Sequence, residues 1–324
     1  MSAATKAGRK AVRLMNGIVN TAVMILFLLL IDVGCYAVWD SKQVYESASA
    51  ARYEVYKPTA ENQSVSFKDL QAINPDVFAW LTVYGTQIDY PVVQGTNNMK
   101  YINTNAEGRY SLSGAIFLDY RGSRDFSDFS SILYGHHMDK NTMFGEIEYF
   151  TDKPYFEARR YGMLYFDGRE HGLEFFAFVC ASAYDETVFR TKITEPEAQR
   201  EYLERLLSIA KHTRDIPVTV DDRIVLFSTC SSAATNGRDI LVARITEDLY
   251  DNSFKTNETD NKKEVLTVDG LPGIWLQIPF WIRVALTGLL LILPALVLSL
   301  IIHNKKRYRG KRGDENHRKG DKSL

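Results

Sequence analysis

The sequence predicts a mostly β domain with a few added helices, placed between two apolar segments. Short runs of β-branched and aromatic residues recur from Val77 onward, and Gly, Asn and Asp separate most of them. One longer stretch in this region, at residues 194–213, changes to helical spacing. So many short strands at near-regular spacing indicate a single barrel or sandwich of about 200 residues.

The first apolar segment covers residues 17–39 and contains a single charged residue, Asp32. A helix needs about 20 apolar residues to cross a bilayer, so this segment is long enough to do so. A cleaved signal peptide is the alternative interpretation. The length of the segment and the lack of an Ala-x-Ala-like site after it favour an uncleaved anchor.

The second apolar segment covers residues 280–302, with Arg283 near its outer end and Pro294 inside it. Basic residues flank the two segments on the sides away from the β region, and acidic residues outnumber basic ones between them. Because cytoplasmic flanks are rich in Lys and Arg, we expect a two-pass plasma-membrane protein with both termini cytoplasmic and the β domain on the outer face. A nucleic-acid role for the basic tail is the weaker interpretation, since a stop-transfer flank explains the same charges.

These patterns divide the chain into seven parts. Ser66 and Asp69 form a capping box for a short helix that ends before Pro75, and Thr194 with Glu197 forms another for the later amphipathic helix. The predicted parts are a basic N-terminus (1–16), a transmembrane anchor (17–39), a stalk (40–62), an extracellular catalytic domain (63–250), a linker (251–273), a second transmembrane region (274–303) and a basic tail (304–324).

Residues 223–245 predict a β-hairpin, because two apolar runs flank a polar loop that contains Asn236-Gly237. Cys230 ends the first strand and Arg238 begins the second, so the turn brings a thiol and a guanidinium to the same rim. A nearby cation favours the thiolate, and guanidinium donors can stabilise a developing oxyanion. The pattern therefore indicates a cysteine nucleophile that needs a base.

The candidate base follows another predicted strand, which ends at Tyr134. Gly135 permits a sharp turn there, and His136 comes next on the rim. His137 is adjacent, but neighbouring residues on an extended chain point to opposite sides, so we expect only His136 to face Cys230. One Cys and one His at two strand ends suggest nucleophilic catalysis.

Four sequence blocks resemble the sortases, the cysteine transpeptidases that attach exported proteins to the cell wall of Gram-positive bacteria, and class B most of all. The blocks are INPDVFAWLTVYGTQIDYPVVQGTNN, GAIFLDYR, ILYGHHMDKNTMFGEI and FSTCSSAATNGRDILVARI. The resemblance implies a closed sortase-type β-barrel of about eight strands with the 194–213 helix before the last strands. It also implies that Cys230 is the nucleophile, His136 the catalytic histidine and Arg238 the essential arginine. Phe227 stands where Leu is commoner, and the C-terminal span is similar to that of pilus-type sortases.

The implied reaction is cleavage of a C-terminal sorting motif, of N-P-x-T-x type, through a Cys230 thioester. The acceptor is an amine of lipid II, of a wall peptide or of a pilin lysine. A membrane-anchored cysteine peptidase and a non-catalytic wall or pilus assembly factor are the alternatives. Ser228 and Thr229 are candidate substrate-binding residues, with ordinary hydrogen bonding at a strand end as an equal interpretation.

The remaining polar residues suggest no second centre. The sequence has no C-x-x-C or H-E-x-x-H motif, so we expect neither a metal nor another cofactor. We expect His171 and His212 on the surface and Arg244 as a solvent-facing strand charge. Three cysteines do not form a disulfide framework, although pairing of Cys180 with Cys230 remains an alternative.

Overall fold

In the part of the chain that the structure describes, the strands fall between residues 77 and 246, and a long helix precedes them. A computed structural model describes residues 3–58 and 65–254. The predicted second transmembrane helix, most of the linker and the basic tail lie outside the described residues. The helices are α1 Ala3–Ala48, α2 Val65–Ile73, α3 Lys153–Ala158 and α4 Pro196–Ser208, with short 3₁₀ segments at Ala50–Arg52, Glu54–Tyr56, Lys100–Ile102 and Gly145–Thr151.

Eleven strands are present in the described part of the chain. They are β1 Val77–Val83, β2 Asp89–Val93, β3 Ile116–Leu118, β4 Ser130–Tyr134, β5 His137–Met138, β6 Thr142–Met143, β7 Tyr161–Phe166, β8 Arg169–Ser182, β9 Ala210–Thr213, β10 Arg223–Cys230 and β11 Gly237–Thr246.

Eight of these strands close into a barrel. The order is β11-β10-β4-β3-β2-β1-β7-β8, and β11 closes the ring by pairing antiparallel with β8. β9 adds to β8 beyond the end of β7, while β5 and β6 form a separate small ladder. The predicted closed barrel of about eight strands is confirmed. Full closure removes the exposed strand edges that would otherwise invite aggregation.

Alternate residues of β10 and β11 face two different apolar layers, as the period of two in a strand requires. Val225, Phe227 and Leu241 point into the barrel. Leu226 and Ile240 point outward into a second layer, which α4 covers. The outer face of β10 and β11 is therefore buried along most of its length. Only the part near the hairpin extends beyond the cover of α4.

The predicted amphipathic helix is present but shorter than expected. It begins at Pro196, because proline suits the first helical position, and Glu195 rather than Thr194 precedes it as the N-cap. Tyr202 and Leu206 are buried against the barrel, as their spacing predicts. The helix ends at Ser208, and residues 210–213 form β9 because their backbone pairs with β8.

The helix α1 contains one stretch, Ala11–Ala48, that is long and apolar enough to cross a membrane by length and composition. Residues 42–58 group with the barrel rather than with the preceding part of the helix. Ala48 and Tyr53 are buried, and Tyr90 Oη donates a hydrogen bond of 2.8 Å to the Ala48 carbonyl. Residues 42–58 of the predicted stalk thus pack on the barrel.

His171 is not at the surface, contrary to the sequence-based expectation. Only 1% of it is exposed, and its ring stacks on Phe166 at 3.9 Å between centroids. Burial lowers the pKa of its imidazole, and Arg169 lowers that pKa further. The reason lies in the strand period, since His171 alternates in phase with the inward-facing Leu173 and Phe175.

Candidate active site

The hairpin that carries the candidate nucleophile has the predicted form. β10 and β11 pair antiparallel, and Cys230 lies directly opposite Arg238. Residues 231–236 form the loop, in which Asn236 adopts a left-handed backbone with φ of +59°, a conformation that asparagine tolerates better than most residues. Cys230 is exposed and free, so a reagent or substrate can reach its thiol.

Cys230 and Arg238 share the outer face of the barrel. Both continue the alternation of Leu226 and Ile240, which lie in the layer under α4. Arg238 is partly buried and donates a hydrogen bond of 3.0 Å to the Gly237 carbonyl through one of its guanidinium nitrogens. The other guanidinium donors can therefore serve a ligand beside Cys230.

The candidate base enters from the neighbouring strand. β4 runs parallel to β10, with Tyr134 in register with Ser228. Gly135 N donates to the Ser228 carbonyl at 3.2 Å, which carries the alignment one residue further. His136 and Cys230 each follow this register pair by two residues, so the ends of two adjacent strands bring them side by side.

Gly135 is required by packing rather than by an unusual backbone angle. A Cβ at this position would lie 2.5 Å from Ile116 Cδ1 and 2.7 Å from Phe144 Cδ2. Real Cβ atoms do not approach other atoms so closely. The close approach lets the chain leave β4 directly over the barrel end and present His136 at the rim.

A backbone carbonyl determines which nitrogen of His136 is free. His136 Nε2 lies 2.8 Å from the Ile102 carbonyl oxygen. Because a carbonyl oxygen can only accept, Nε2 carries the proton in this contact. Nδ1 is therefore the nitrogen left to exchange protons with a substrate or with Cys230.

His137 has a different partner from His136. Its Nε2 lies 3.0 Å from Glu148 Oε2, although this nitrogen makes no hydrogen bond of acceptable geometry within the described residues. The contact is therefore an ion pair when the imidazole is protonated, rather than a directed hydrogen bond. The two adjacent histidines thus belong to separate sets of contacts.

Ser228 and Thr229 precede the candidate nucleophile and are almost completely buried, at 1% and 2% exposed. Their hydroxyl oxygens have no hydrogen-bond partner among the described residues. An unsatisfied buried hydroxyl costs about 1–3 kcal/mol. Ser228 lies on the same strand face as Cys230, so it could gain a partner from bound substrate, whereas Thr229 points into the barrel.

The sequence reasoning missed a polar network beside this face. Tyr134 Oη donates to Asp119 Oδ2 at 3.3 Å, and Asn98 Nδ2 donates to the same oxygen at 3.0 Å. Burial would raise the pKa of the Asp119 carboxyl, but hydrogen bonds from Arg121 outweigh burial and hold that pKa below its ordinary value. The Asp-x-Arg spacing in the block GAIFLDYR is the sequence signal that could have revealed it.

Aromatic rings border the same face. The Tyr134 ring stacks with Phe189 at 6.3 Å and contacts Phe117 at 5.4 Å between centroids. Tyr120, which follows Asp119, and Tyr184, which lies five residues before Phe189, are exposed. Apolar walls with a few fixed polar groups suit an extended peptide.

A cavity of about 800 Å³ adjoins the hairpin loop, and Arg238 is one of its lining residues. Neither Cys230 nor His136 lines it. Cys180 and Asp239 do, and Cys180 Sγ lies 3.6 Å from Asp239 Oδ1. Burial raises the pKa of both groups. Cys180 is a free thiol opposite Asp239, so the alternative disulfide with Cys230 is absent.

Arg244 does not face solvent as the sequence suggested. It pairs across β11 and β8 with Glu174 at 2.7 Å, and Glu174 also binds Arg160. Because the Glu174 side chain is only 5% exposed, its charge requires these partners.

His212 Nε2 lies 2.8 Å from the Thr151 carbonyl. Within the described residues no group of three His, Cys, Asp or Glu side chains could hold a metal.

Comparison with known proteins gives the family. No protein-family model matches the chain. The chain is 31% identical over 195 residues to sortase B of Listeria monocytogenes, which covers 60% of this chain and 76% of the relative.

Two solved structures add to this relationship. A sortase B from the type II pilus of Streptococcus pneumoniae is 44% identical, with a TM-score of 0.50, over 56% of this chain and 99% of that one. A Staphylococcus aureus sortase B–substrate complex is 28% identical, with a TM-score of 0.53, over 64% of this chain and 94% of that one. The barrel and these relatives together define a cysteine transpeptidase fold. The chain belongs to the sortase family, class B.

Proposed function

We propose that this protein is a membrane-anchored transpeptidase in which Cys230 is the nucleophile, His136 the general acid and base, and Arg238 the oxyanion donor. The observation that carries the proposal is the strand register. Cys230 lies directly opposite Arg238 across the hairpin, and the parallel β4–β10 pairing brings His136 to the neighbouring strand end. A nucleophile, a proton carrier and a cationic donor thus share one rim.

The first half-reaction forms a thioester. Nδ1 of His136 takes the proton of the Cys230 thiol, and the resulting thiolate attacks the scissile carbonyl carbon of an extended peptide. Arg238 donates hydrogen bonds to the carbonyl oxygen as it gains negative charge. The C–N bond then breaks. The departing amine takes a proton from Nδ1 of His136, whose Nε2–H stays bonded to the Ile102 carbonyl.

The second half-reaction releases the product. An acceptor amine attacks the thioester carbonyl and gives a proton to His136 Nδ1. A new C–N bond forms as the C–S bond breaks, which returns Cys230 to its thiolate. Arg238 again stabilises the oxyanion, because the tetrahedral intermediate has the same geometry in both directions.

The proposed substrate is a C-terminal sorting motif of an exported protein or a pilin, and the proposed acceptor is an amine of lipid II, a wall peptide or a pilin. The substrate complex of the Staphylococcus aureus relative supports binding of such a segment. The pilus origin of the Streptococcus pneumoniae relative supports a pilin as one candidate. Ser228 and the aromatic border at Tyr134 are the proposed groove.

The proposed placement is the plasma membrane, with the barrel on the outer face and both termini cytoplasmic. The long apolar stretch Ala11–Ala48 supports an N-terminal anchor. The basic flanks of both apolar segments support the two-pass orientation. An outer location also matches the proposed cell-wall or pilus acceptor.

The test uses the full chain in detergent with quenched-fluorescent peptides of the N-P-x-T-x and L-P-x-T-G types. Each peptide is incubated with and without triglycine as the amine. We expect cleavage that disappears in Cys230→Ala and yields a triglycine-ligated product. Cleavage that needs Cys230 but gives only the free acid at every amine concentration would favour the peptidase alternative instead.

A further inference from the structure

The carboxylate of Glu148 joins the two chain segments that carry the candidate reactive residues. Ser232 Oγ donates a hydrogen bond of 2.8 Å to Glu148 Oε2. The same oxygen lies 3.0 Å from His137 Nε2. Ser232 follows Cys230 by two residues, and His137 is the neighbour of His136.

The bridge lies beside Cys230 and His136 rather than at them. Glu148 lines the cavity next to the hairpin loop together with Ser232, Asp239 and Arg238, whereas neither Cys230 nor His136 lines it. The polar contacts of Glu148 go to Ser232 and His137. Any effect it has on the reaction must act through the positions of the two loops.

The segment that holds Glu148 is firmly mounted. It belongs to the 3₁₀ segment Gly145–Thr151, in which Ile147 and Phe150 are completely buried. Gly145 packs so closely on the chain that an added Cβ would lie 2.0 Å from the Met138 carbonyl oxygen. The close packing of Gly145 on Met138 fixes Glu148 relative to the segment that carries His136 and His137, because Met138 follows His137 directly.

The hairpin loop is held less firmly. Residues 232–236 are exposed, and the loop closes on itself through Gly237 N to the Ala234 carbonyl at 2.9 Å. The Asn236 carbonyl accepts a hydrogen bond of 2.8 Å from the N–H of Ala183, the residue that follows β8. At the other end of the loop, beside Cys230, the Ser232–Glu148 hydrogen bond supplies the tie to another element.

We propose that Glu148 is a positioning residue, which sets the distance between Cys230 and His136 by fastening the Ser232 end of the hairpin loop to the His137 segment. The inference rests on the proposed function. Displacement of reacting groups by about 1 Å can cost on the order of 100-fold in rate. Losing the fastening should therefore slow the chemical step and leave peptide binding on the outer face nearly unchanged.

Three variants of the full chain test this role. Glu148→Leu removes both contacts, Ser232→Ala removes the hydrogen bond from an exposed side chain, and Glu148→Gln keeps an acceptor for Ser232 while losing the charge opposite His137. Glu157→Gln, an exposed carboxylate on α3, is the matched control. Thermal unfolding checks the fold of each variant.

We expect kcat for peptide ligation to fall about 10-fold or more in Glu148→Leu with KM within about twofold, by the positioning argument above. The kcat of Ser232→Ala should also fall. The kcat of Glu148→Gln should lie between that of Glu148→Leu and that of the wild type. An unchanged kcat in Glu148→Leu and Ser232→Ala, or a rise in KM alone, would overturn the proposal. If Glu148→Leu unfolds early, Ser232→Ala decides the matter.

A second readout separates this proposal from the transpeptidase assignment. The rate of alkylation of Cys230 by iodoacetamide is followed by peptide mass spectrometry, with the Glu157→Gln control as the reference. Reactivity of the thiol depends on its surroundings whether or not the chain ligates peptides. If the wild type ligates no peptide, the proposed function fails; an alkylation rate in Glu148→Leu equal to that of the wild type would then reject the positioning role as well.

Discussion

At the scale of single residues, two arginines of the same strand make different contacts. Arg238 lies opposite Cys230 at the open end of the outer face. Arg244 lies opposite Glu174 and neutralises a carboxylate that is almost fully buried. Their separation by six residues on one strand makes them a matched pair for experiment.

We expect Arg238→Ala to lower kcat/KM for ligation by about 100-fold or more, the usual cost of removing an oxyanion donor, with little change in stability. Arg244→Ala should do the reverse, losing about 1–3 kcal/mol of unfolding free energy while keeping its activity. Steady-state kinetics and urea unfolding of both variants provide the measurements. Equal kinetic losses in the two variants would contradict the assignment of Arg238.

Sequence reasoning identified local residues better than their surroundings. Cys230, Arg238 and the Asn236 turn follow from one hairpin, so their mutual register could be predicted. His171 was placed at the surface because it was considered alone, although its phase with Leu173 and Phe175 shows which face it occupies. The contacts of Glu148 with Ser232 and of Asp119 with Asn98 join segments distant in sequence, and no local pattern predicts these pairs.

At the scale of elements, the exit from β4 controls the position of His136. Gly135 lies where Ile116 and Phe144 leave no room for a Cβ. The turn was predicted from the permissive backbone of glycine, but the structure gives close packing as the reason. The same residue thus connects the barrel core to the rim.

We expect Gly135→Ala to destabilise the barrel by about 1–3 kcal/mol through overpacking, and to lower kcat because His136 shifts with the displaced chain. Gly168→Ala serves as a control for a glycine change, because a Cβ there meets open space, although its φ of +77° adds some strain. Thermal unfolding and ligation kinetics measure both effects. Wild-type stability in Gly135→Ala would show that Ile116 and Phe144 can move aside to admit a Cβ at this position.

The β9 strand shows the limit of predicting element boundaries. The predicted helix extends to Thr213, yet the backbone of residues 210–213 pairs with β8 instead. Local propensity cannot register a partner strand that lies some thirty residues earlier. Pro196 by contrast is a local signal, and it would have placed the start of the helix correctly.

At the scale of the whole molecule, residues 42–58 are part of the folded barrel unit. Arg52 pairs with Glu107 at 2.7 Å, and Lys57 pairs with Asp89. Tyr90 Oη links this segment to the histidine loop, since it donates to the Ala48 carbonyl and accepts from Met143 N at 2.9 Å. A catalytic domain trimmed at the end of the predicted stalk would lose these contacts.

We expect a chain that begins at residue 42 to unfold at a temperature about 5 °C or more above that of a chain that begins at residue 59, because Tyr53 and Ala48 remain buried in the longer form. Differential scanning calorimetry compares the two proteins. Equal unfolding temperatures would mean that residues 42–58 contribute nothing to the barrel.

The overall architecture was largely predictable because the composition of each strand and the turn residues beside it indicate a strand locally. The strand neighbours were not, since the parallel pairing of β4 with β10 depends on segments far apart in the chain. The resemblance to a known family predicts a closed barrel, but neither it nor any sequence pattern given above predicts this pairing. Physical patterns in one sequence specify elements more readily than their partners.

The parallel pairing of β4 with β10 also bears on when the proposed site can form during synthesis of the chain. His136 emerges long before Cys230, and loop closure across so many residues is slow compared with local hairpin formation. Until β10 has paired with β4, the growing chain lacks the proposed pair of thiol and imidazole. The proposed reactivity therefore depends on a contact between distant segments and cannot arise from either strand end alone.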